Sequence, residues 1–574
     1  MGIGRKLLLV ASALLLLSVA WLWWTQPQRV DMAAYVPADT LVYLEANDLP
    51  GIARAVVSTE GWKELAPAAG IEGGFGQVGW LGRLSAWTGI GSSDGVVLMR
   101  AQVAVALLGF DASVEADASA RISPRIALVA ETHTSEGRAR TAVRKLVGDA
   151  ARRRYGEVRV EERPIDGVPY VSWVAQSDTR RRLVAAVRGS VAVVARDEAT
   201  VQACLAAQSG ARPTLAADAR LKEMRNRLGA ETALVFGYAP QGSAAKILEV
   251  VAPLFVGQVS ENPNTQSSLA ILLPQLANSL VGSAGWSTRI VRGAVEDNYH
   301  FDLPGDLAAR LNEPLTPALP RVNPAEMLPS DTQQVSLYSY RVPEQAWRGL
   351  NAAISTQLDT FKAVLVTRAL ESLLQPYGVE SPQEFLHVAG SGLATARLSS
   401  TSEKKLLIVE ARDREGLKRQ VTKRLGDDAR VESVGDGELH VAADAEAGAA
   451  AFVGDFLVLG DESDVRLCVA ARAEGRTLAG APDFKLSRFE TPADTLPQVT
   501  TWTDDAESAR AFVLFFARQR SAHPNPEALE KASRRLPRSI SETRLTSAGF
   551  QKRTRSSFGQ FGWIIEQFAP SNDN

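Results

Sequence analysis

Three carboxylates, Asp39, Glu45 and Asp48, fall close together in YVPADTLVYLEANDLPG, Tyr35 to Gly51. Carboxylates in unequal surroundings can divide the acid and base roles of a hydrolase, so the stretch raises the question of an acidic active site. The other reactive residues give it little company. His133, His300, His387, His440 and His523 include no pair at the H-E-x-x-H spacing that puts two imidazoles on one helix face, and no Cys/His set has zinc spacing. GGFGQVGWLGR, after Glu72, has a G-x-x-G pattern without the G-K-[ST] ending, and reads as a surface turn rather than a phosphate cradle. The GSG of Gly390 to Gly392 lacks the frame of a nucleophile elbow. Cys204 and Cys468 lie on the apolar side of helix-like segments and read as buried, unpaired thiols, with a bond between them as the alternative. These residues call for no catalytic set, no cofactor and no metal.

The whole-chain charge points the same way for polyanions. Lys and Arg total 63 against 65 for Asp and Glu, so a formal charge of -2 supplies no field to draw nucleic acid. The runs Arg152 to Arg154 and Arg180 to Arg182 read as a solvated helix end and a hairpin tip.

Residues 1–24 carry the targeting signal. Arg5 and Lys6 precede an uncharged run, Leu7 to Trp24, just long enough to cross a hydrocarbon core of about 30 Å. Basic residues stay cytoplasmic, and Trp21, Trp23 and Trp24 suit the outer interface, so the segment reads as a signal anchor with the bulk outside. Ser18-Val19-Ala20 keeps a cleaved signal peptide open as the alternative. Residues 25–34 then form a tether.

Internal repetition organises the remainder. VPADT at Val36 returns as LPSDT at Leu328, and TGIGSSDGVVL at Thr88 as YGVESPQEFLH at Tyr377. IALVAETHTSEGRARTAVRKL at Ile126 returns as LLIVEARDREGLKRQVTKRL at Leu406, which sets Glu131 against Glu410. VRGSVAVVARDEATVQACLAA at Val187 matches FVGDFLVLGDESDVRLCVAA at Phe452 and aligns the cysteines. GSAGWSTR at Gly282 matches TSAGFQKR at Thr546. The order predicts two homologous tandem units, 35–304 and 325–568, with a Pro-containing linker at 305–324 and a tail at 569–574.

Within a unit, the apolar periodicity predicts strands at TLVYLEA, QVAVALLGF and RIALVAET, and helices over LPGIARAVVSTEGWKELA and SEGRARTAVRKLVGDAARR. Hairpins are expected at Asp166-Gly167 and Arg188-Gly189, followed by a helix capped by Asp197. The fold class is therefore α+β: in each unit, a largely antiparallel twisted sheet with helices on one face. In both copies Pro-x-Asp-Thr precedes a strand, where Asp39 or Asp331 is expected to accept backbone N–H groups. Asp197 and Asp461 read as helix caps, which leaves Glu131 and Glu410 as the shared carboxylates with no local role and thus as the functional candidates.

The VPADT strand opening, the GI-x-x-S segment leading into an alternating strand and the I-x-L-V-x-E strand–helix together resemble the bacterial domain-of-unknown-function 3352 family. That resemblance implies an exported or membrane-anchored protein with no assigned activity, and supplies no catalytic residues. The expected function is a non-enzymatic scaffold or binding protein of the bacterial inner membrane, facing the periplasm, with an envelope protein or a lipid as partner and no nucleic acid. The alternative is a binder of a small or lipidic ligand, or a degenerate hydrolase, with a pocket between the units that Trp80, Trp87, Trp173 and Trp286 could line.

Overall fold

The computed structural model describes residues 28–71, 92–114, 120–259, 263–358, 381–399, 405–482, 496–519 and 522–562, with parts of 363–379 and residues 484 and 489. Leu7 to Trp24, the glycine-rich stretch, Trp80, Trp87 and residues 569–574 lie outside them. Among the described residues no helix is long and apolar enough to cross a membrane.

Among the described residues ten strands precede residue 303: Val42–Ala46 (β1), Gln102–Val114 (β2), Ala120–Glu131 (β3), Val158–Ile165 (β4), Val168–Ala175 (β5), Arg182–Arg188 (β6), Val191–Ala195 (β7), Val235–Ala239 (β8), Ala284–Val291 (β9) and Ala294–Asp302 (β10). Ten follow: Gln334–Tyr338 (β11), Leu393–Arg397 (β12), Leu406–Glu410 (β13), Arg430–Val434 (β14), Gly437–Val441 (β15), Ala449–Val453 (β16), Phe456–Gly460 (β17), Val499–Thr503 (β18), Ser539–Thr546 (β19) and Gly549–Ser556 (β20). All pair antiparallel. The order across the sheet is β4, β5, β6, β7, β3, β2, β1, β8, β9, β10. It continues through β20, β19, β18, β11, β12, β13, β17, β16, β15, β14. The second series is the first reversed, so β20 answers β10, β19 answers β9 and β13 answers β3. The join is β10 on β20, from Val295 opposite Ser556 to Asp302 opposite Gly549. The chain is α+β around a large antiparallel sheet.

Turn chemistry accounts for the hairpins. Asp166 and Gly167, between β4 and β5, have φ of 50° and 77°, and Arg292 and Gly293, between β9 and β10, have 52° and 76°, the double left-handed geometry that two-residue hairpins require. The β6–β7 turn falls one residue later than expected, on Gly189 and Ser190.

Helices cover both faces of the sheet rather than one. On one face Met32 and helices Glu198–Gln208 and Ala219–Leu228 bury Tyr43, Ala104, Val129 and Val193. On the other, helix Glu136–Tyr155 covers Val171, Trp173, Ala185 and Val187. The strands show why: β16 and β17 are buried at every residue, and β5 from Tyr170 to Ala175, and such unbroken apolar runs need cover on both sides. The second half repeats this arrangement with its own pair of cores. Cys204 and Cys468 are free and buried in corresponding cores, and burial pushes the Cys204 thiol up to about 12 and Cys468 in the same direction.

Two boundaries move and one repeat match fails. Residues 30–34, expected as tether, belong to the folded body: Met32 and Ala33 are fully buried, and Gln102 bonds both the N–H and the C=O of Val30. The expected linker 305–324 holds helix Leu307–Asn312, whose Leu307 and Leu311 pack with Ala346, Ala353 and Leu545. The match of GSAGWSTR to TSAGFQKR is a false one, because the first begins β9 and the second spans the β19–β20 turn into β20, while β9 corresponds to β19. Alternating strands of similar composition share short patterns without sharing a position.

Candidate functional site

Glu131 and Glu410 end β3 and β13, both about 3% exposed, and about 50 Å of sheet at about 4.8 Å per strand separates them. They form two local sites and never one. Glu131 accepts from the hydroxyls of Tyr35 (3.2 Å) and Ser190 (3.0 Å) and from the His133 N–H (2.9 Å). Burial and the Glu131 charge push the Tyr35 hydroxyl up to about 12. His133 Nε2 meets Gln102 at 3.0 Å, and burial lowers its pKa. Glu410 accepts from Arg321 Nε at 2.7 Å and from the Gly392 N–H at 3.2 Å. Tyr35 lies in the 3-10 turn Met32–Tyr35, and Arg321 just before the corresponding turn Pro324–Met327. Each carboxylate therefore ties its lead-in segment to a strand end. The shared role was illegible because one copy uses a tyrosine and the other an arginine.

The opening acids separate in the same manner. Asp39 is an exposed partner of Arg212 at 2.7 Å and caps nothing; the turn is closed by Thr40, whose hydroxyl and N–H both donate to Pro37 C=O, as Thr332 does to Pro329. Glu45 is buried and accepts from the Tyr43 hydroxyl at 2.6 Å and from Arg225 at 2.8 Å. Asp48 caps helix Leu49–Ser58 through Gly51 N–H. Asp197 caps through Thr200 N–H, whereas Asp461 holds the N-cap position without a capping hydrogen bond from its side chain. His300 is fully buried against Asp302 at 2.9 Å, and His387 is exposed beside Glu344 at 2.8 Å. Among the described residues no three His, Cys, Asp or Glu side chains are placed to hold a metal. Trp173 and Trp286 are core residues, and Trp286 donates to Asp297 at 2.9 Å, so neither lines a cleft.

A cleft of about 300 Å³ lies instead over the β10–β20 join. Its lining includes Arg227 and Arg289 from the first half and Glu542, Arg544, Gln551 and Arg553 from the second. Strand alternation sets Arg289, Glu296, Arg553 and Arg555 on one face of the sheet. Glu296, 1% exposed, accepts from Arg553 at 2.6 Å and Arg289 at 3.1 Å and pairs with Arg555 at 3.7 Å. Burial would raise its pKa, but the Arg553 and Arg289 guanidiniums outweigh it and hold Glu296 below the usual carboxylate range. The Phe489 ring stacks on Arg553 and Arg555, with guanidinium carbons 4.3 and 4.7 Å from its centre. Arg544 bonds Glu542, and Arg227 bonds Asp302 at 2.8 Å. Such a set of fixed, half-buried guanidiniums can hold an anion. Arginines scattered over three stretches of the chain, around residues 227, 289 and 544–555, gave no motif from which to read it.

No family model and no curated protein matches the chain. Crystal forms IV and I of TP0453 are similar to 48% and 50% of this chain and to 81% and 87% of theirs, at 12% identity, with TM-scores of 0.24 and 0.23, a likeness too slight to bear on fold or function.

Proposed function

We propose that the chain is a non-enzymatic envelope protein, anchored in the bacterial inner membrane by Leu7 to Trp24 with its bulk in the periplasm, and that two homologous tandem units act there as a scaffold or binding body. The observation that carries this reading is the mirrored strand order, ten strands against ten, joined without a break at β10 and β20. Matching Pro-x-x-Thr turns, aligned buried cysteines and Glu131 opposite Glu410 support a duplication. A shared apolar core, in which Trp62 and Leu65 pack with Phe512, Val513 and Phe558, links the two halves of the chain. Packed halves of this kind suit a scaffold. With the folded body starting at Val30, only five residues follow Trp24, a reach of roughly 18 Å, so the sheet would stand close to the membrane.

A second reading, a binder with its pocket between the units, is favoured by the arginine-lined cleft at the join. A hydrolase is disfavoured, since Glu131 and Glu410 are apart and each is saturated by structural donors.

The test is topological and then interactive. A reporter active only outside the cytoplasm, fused after Asn574, should be active, and the protein should resist carbonate extraction from membranes. Recovery in the soluble cytoplasmic fraction would overturn the proposal. Photo-crosslinking in intact cells should then capture an envelope component; capture of none, with the protein abundant, would count against a scaffold.

A further inference from the structure

We infer that the cleft over the β10–β20 join receives a phosphate-bearing ligand, gripped by arginines from both halves of the chain. The inference rests on the reading of a binder with its pocket between the halves, and is independent of membrane anchoring.

The charge is unevenly placed. Arg227, Arg289, Arg544, Lys552 and Arg553 line the cleft; Glu542 on the lining pairs with Arg544, and Asp302 and Glu223 pair with Arg227, so the unbalanced charge is that of Arg289, Arg553, Arg555 and Lys552. Glu296 lies beneath the floor, 1% exposed, and this one carboxylate serves three cations, Arg289, Arg553 and Arg555. The surplus positive charge therefore faces the cleft, where low-dielectric walls strengthen it. The end of helix Ala219–Leu228 borders the site and would repel an anion. Its carbonyls are already occupied, however, at Asn226 by Gly229 N–H and at Leu228 by Ser287 Oγ.

The geometry favours phosphate over a lone carboxylate. One guanidinium fork saturates a carboxylate, whereas a tetrahedral oxyanion offers oxygens in several directions and suits forks arriving from different strands. Here the forks come from β9, β19, β20 and helix Ala219–Leu228. Phe489 stacks against the guanidiniums of Arg553 and Arg555 and holds their planes before any ligand arrives. At about 300 Å³ the space exceeds a bare ion and matches the lower range of ligand sites, and Gln551 and Asn298 on its lining can meet the alcohol portion of a phosphate ester.

The phosphate could come from a soluble ester or a lipid headgroup, and calorimetry and vesicle flotation separate these. Probes are glycerol phosphate, citrate as a carboxylate control, and vesicles of phosphatidylglycerol or of phosphatidylcholine. Variants are Arg544→Gln, and Arg289→Gln combined with Glu296→Gln so that no buried carboxylate is stranded, each checked for an intact fold. Glycerol phosphate binding, weakened about tenfold by each variant, supports a soluble ligand. Flotation with phosphatidylglycerol vesicles alone, lost in both variants, supports a headgroup. Citrate binding as tightly as glycerol phosphate overturns the phosphate assignment while leaving the binder reading intact. No binding by any probe, or binding undiminished in both variants, overturns the inference; native mass spectrometry showing another molecule retained by the protein would then still uphold the binder reading.

Discussion

Arg553 on β20 donates to Glu296 on β10 at 2.6 Å, a charged contact made across the strand pair that joins the two halves of the chain. Glu296 is almost fully buried, so removing a partner leaves charge stranded rather than merely unpaired. Arg553→Ala should cost roughly 1–3 kcal/mol, less than the loss of a sole partner because Arg289 and Arg555 remain. Adding Glu296→Gln to Arg553→Ala should recover part of that loss. Urea unfolding of the wild type, both single variants and the double variant measures the coupling.

Gly549 begins β20 opposite Asp302 at the end of β10. A Cβ there would stand 2.0 Å from the Phe301 carbonyl oxygen, which is backbone and cannot swing away. Gly549→Ala should therefore open one end of the join and destabilise by roughly 2–4 kcal/mol. Hydrogen exchange should quicken in β10 and β20 ahead of β4 and β14; uniform acceleration would contradict a local effect.

Asp39 and Thr40 should respond oppositely to their prominence in the sequence. Asp39→Ala removes an exposed ion pair with Arg212 and should change stability by less than about 1 kcal/mol. Thr40→Val deletes a buried 2.7 Å bond to Pro37 C=O and should cost about 1–2 kcal/mol. Thermal melts of the two variants decide the order.

Asp505 gives stability an acid-side slope. Burial raises its pKa to about 6, with the Asp504 charge adding to the rise and Ser557 N–H at 3.2 Å and its own backbone N–H offsetting only part of it, while its Oδ1 is buried without a hydrogen-bond partner. The folded state therefore holds this proton where an unfolded aspartate, with a pKa near 3.9, has lost it. Its contribution is greatest below about pH 4, declines as pH rises from about 4 to about 6, and is lost above that. Asp505→Asn should flatten this window and raise stability near pH 7 by roughly 1–3 kcal/mol relative to wild type. A variant no more stable than wild type at pH 7 would refute the assignment.

The paired carboxylates call for paired variants. Glu131→Gln keeps one oxygen to accept from Tyr35 and Ser190 but loses the bond from His133 N–H, whereas Glu410→Gln loses its ion pair with Arg321. Since Arg321 is mostly exposed, both should stay within about 2 kcal/mol and loosen chiefly the lead-in segments, which limited proteolysis near residues 30 and 321 would report.

Local chemistry was legible from residue order alone. Asp166-Gly167 could only turn a hairpin, Asp197 before an apolar helix could cap it, and apolar alternation marked β1, β2 and β3, because each depends on neighbours within a few residues. The meeting of β10 with β20 rests on contacts between residues more than two hundred positions apart, and the reversal of strand order and the cover on both faces rest on pairing and packing between elements well separated along the chain, none of which a local period encodes. For the same reason Glu131 and Glu410 could be aligned but not understood: the alignment follows from the chain, whereas Tyr35 and Arg321 reach them only through the fold. The arginine cleft is the extreme case. Arg227, Arg289, Arg544 and Arg553 become one electrostatic site only when two sheets close into one.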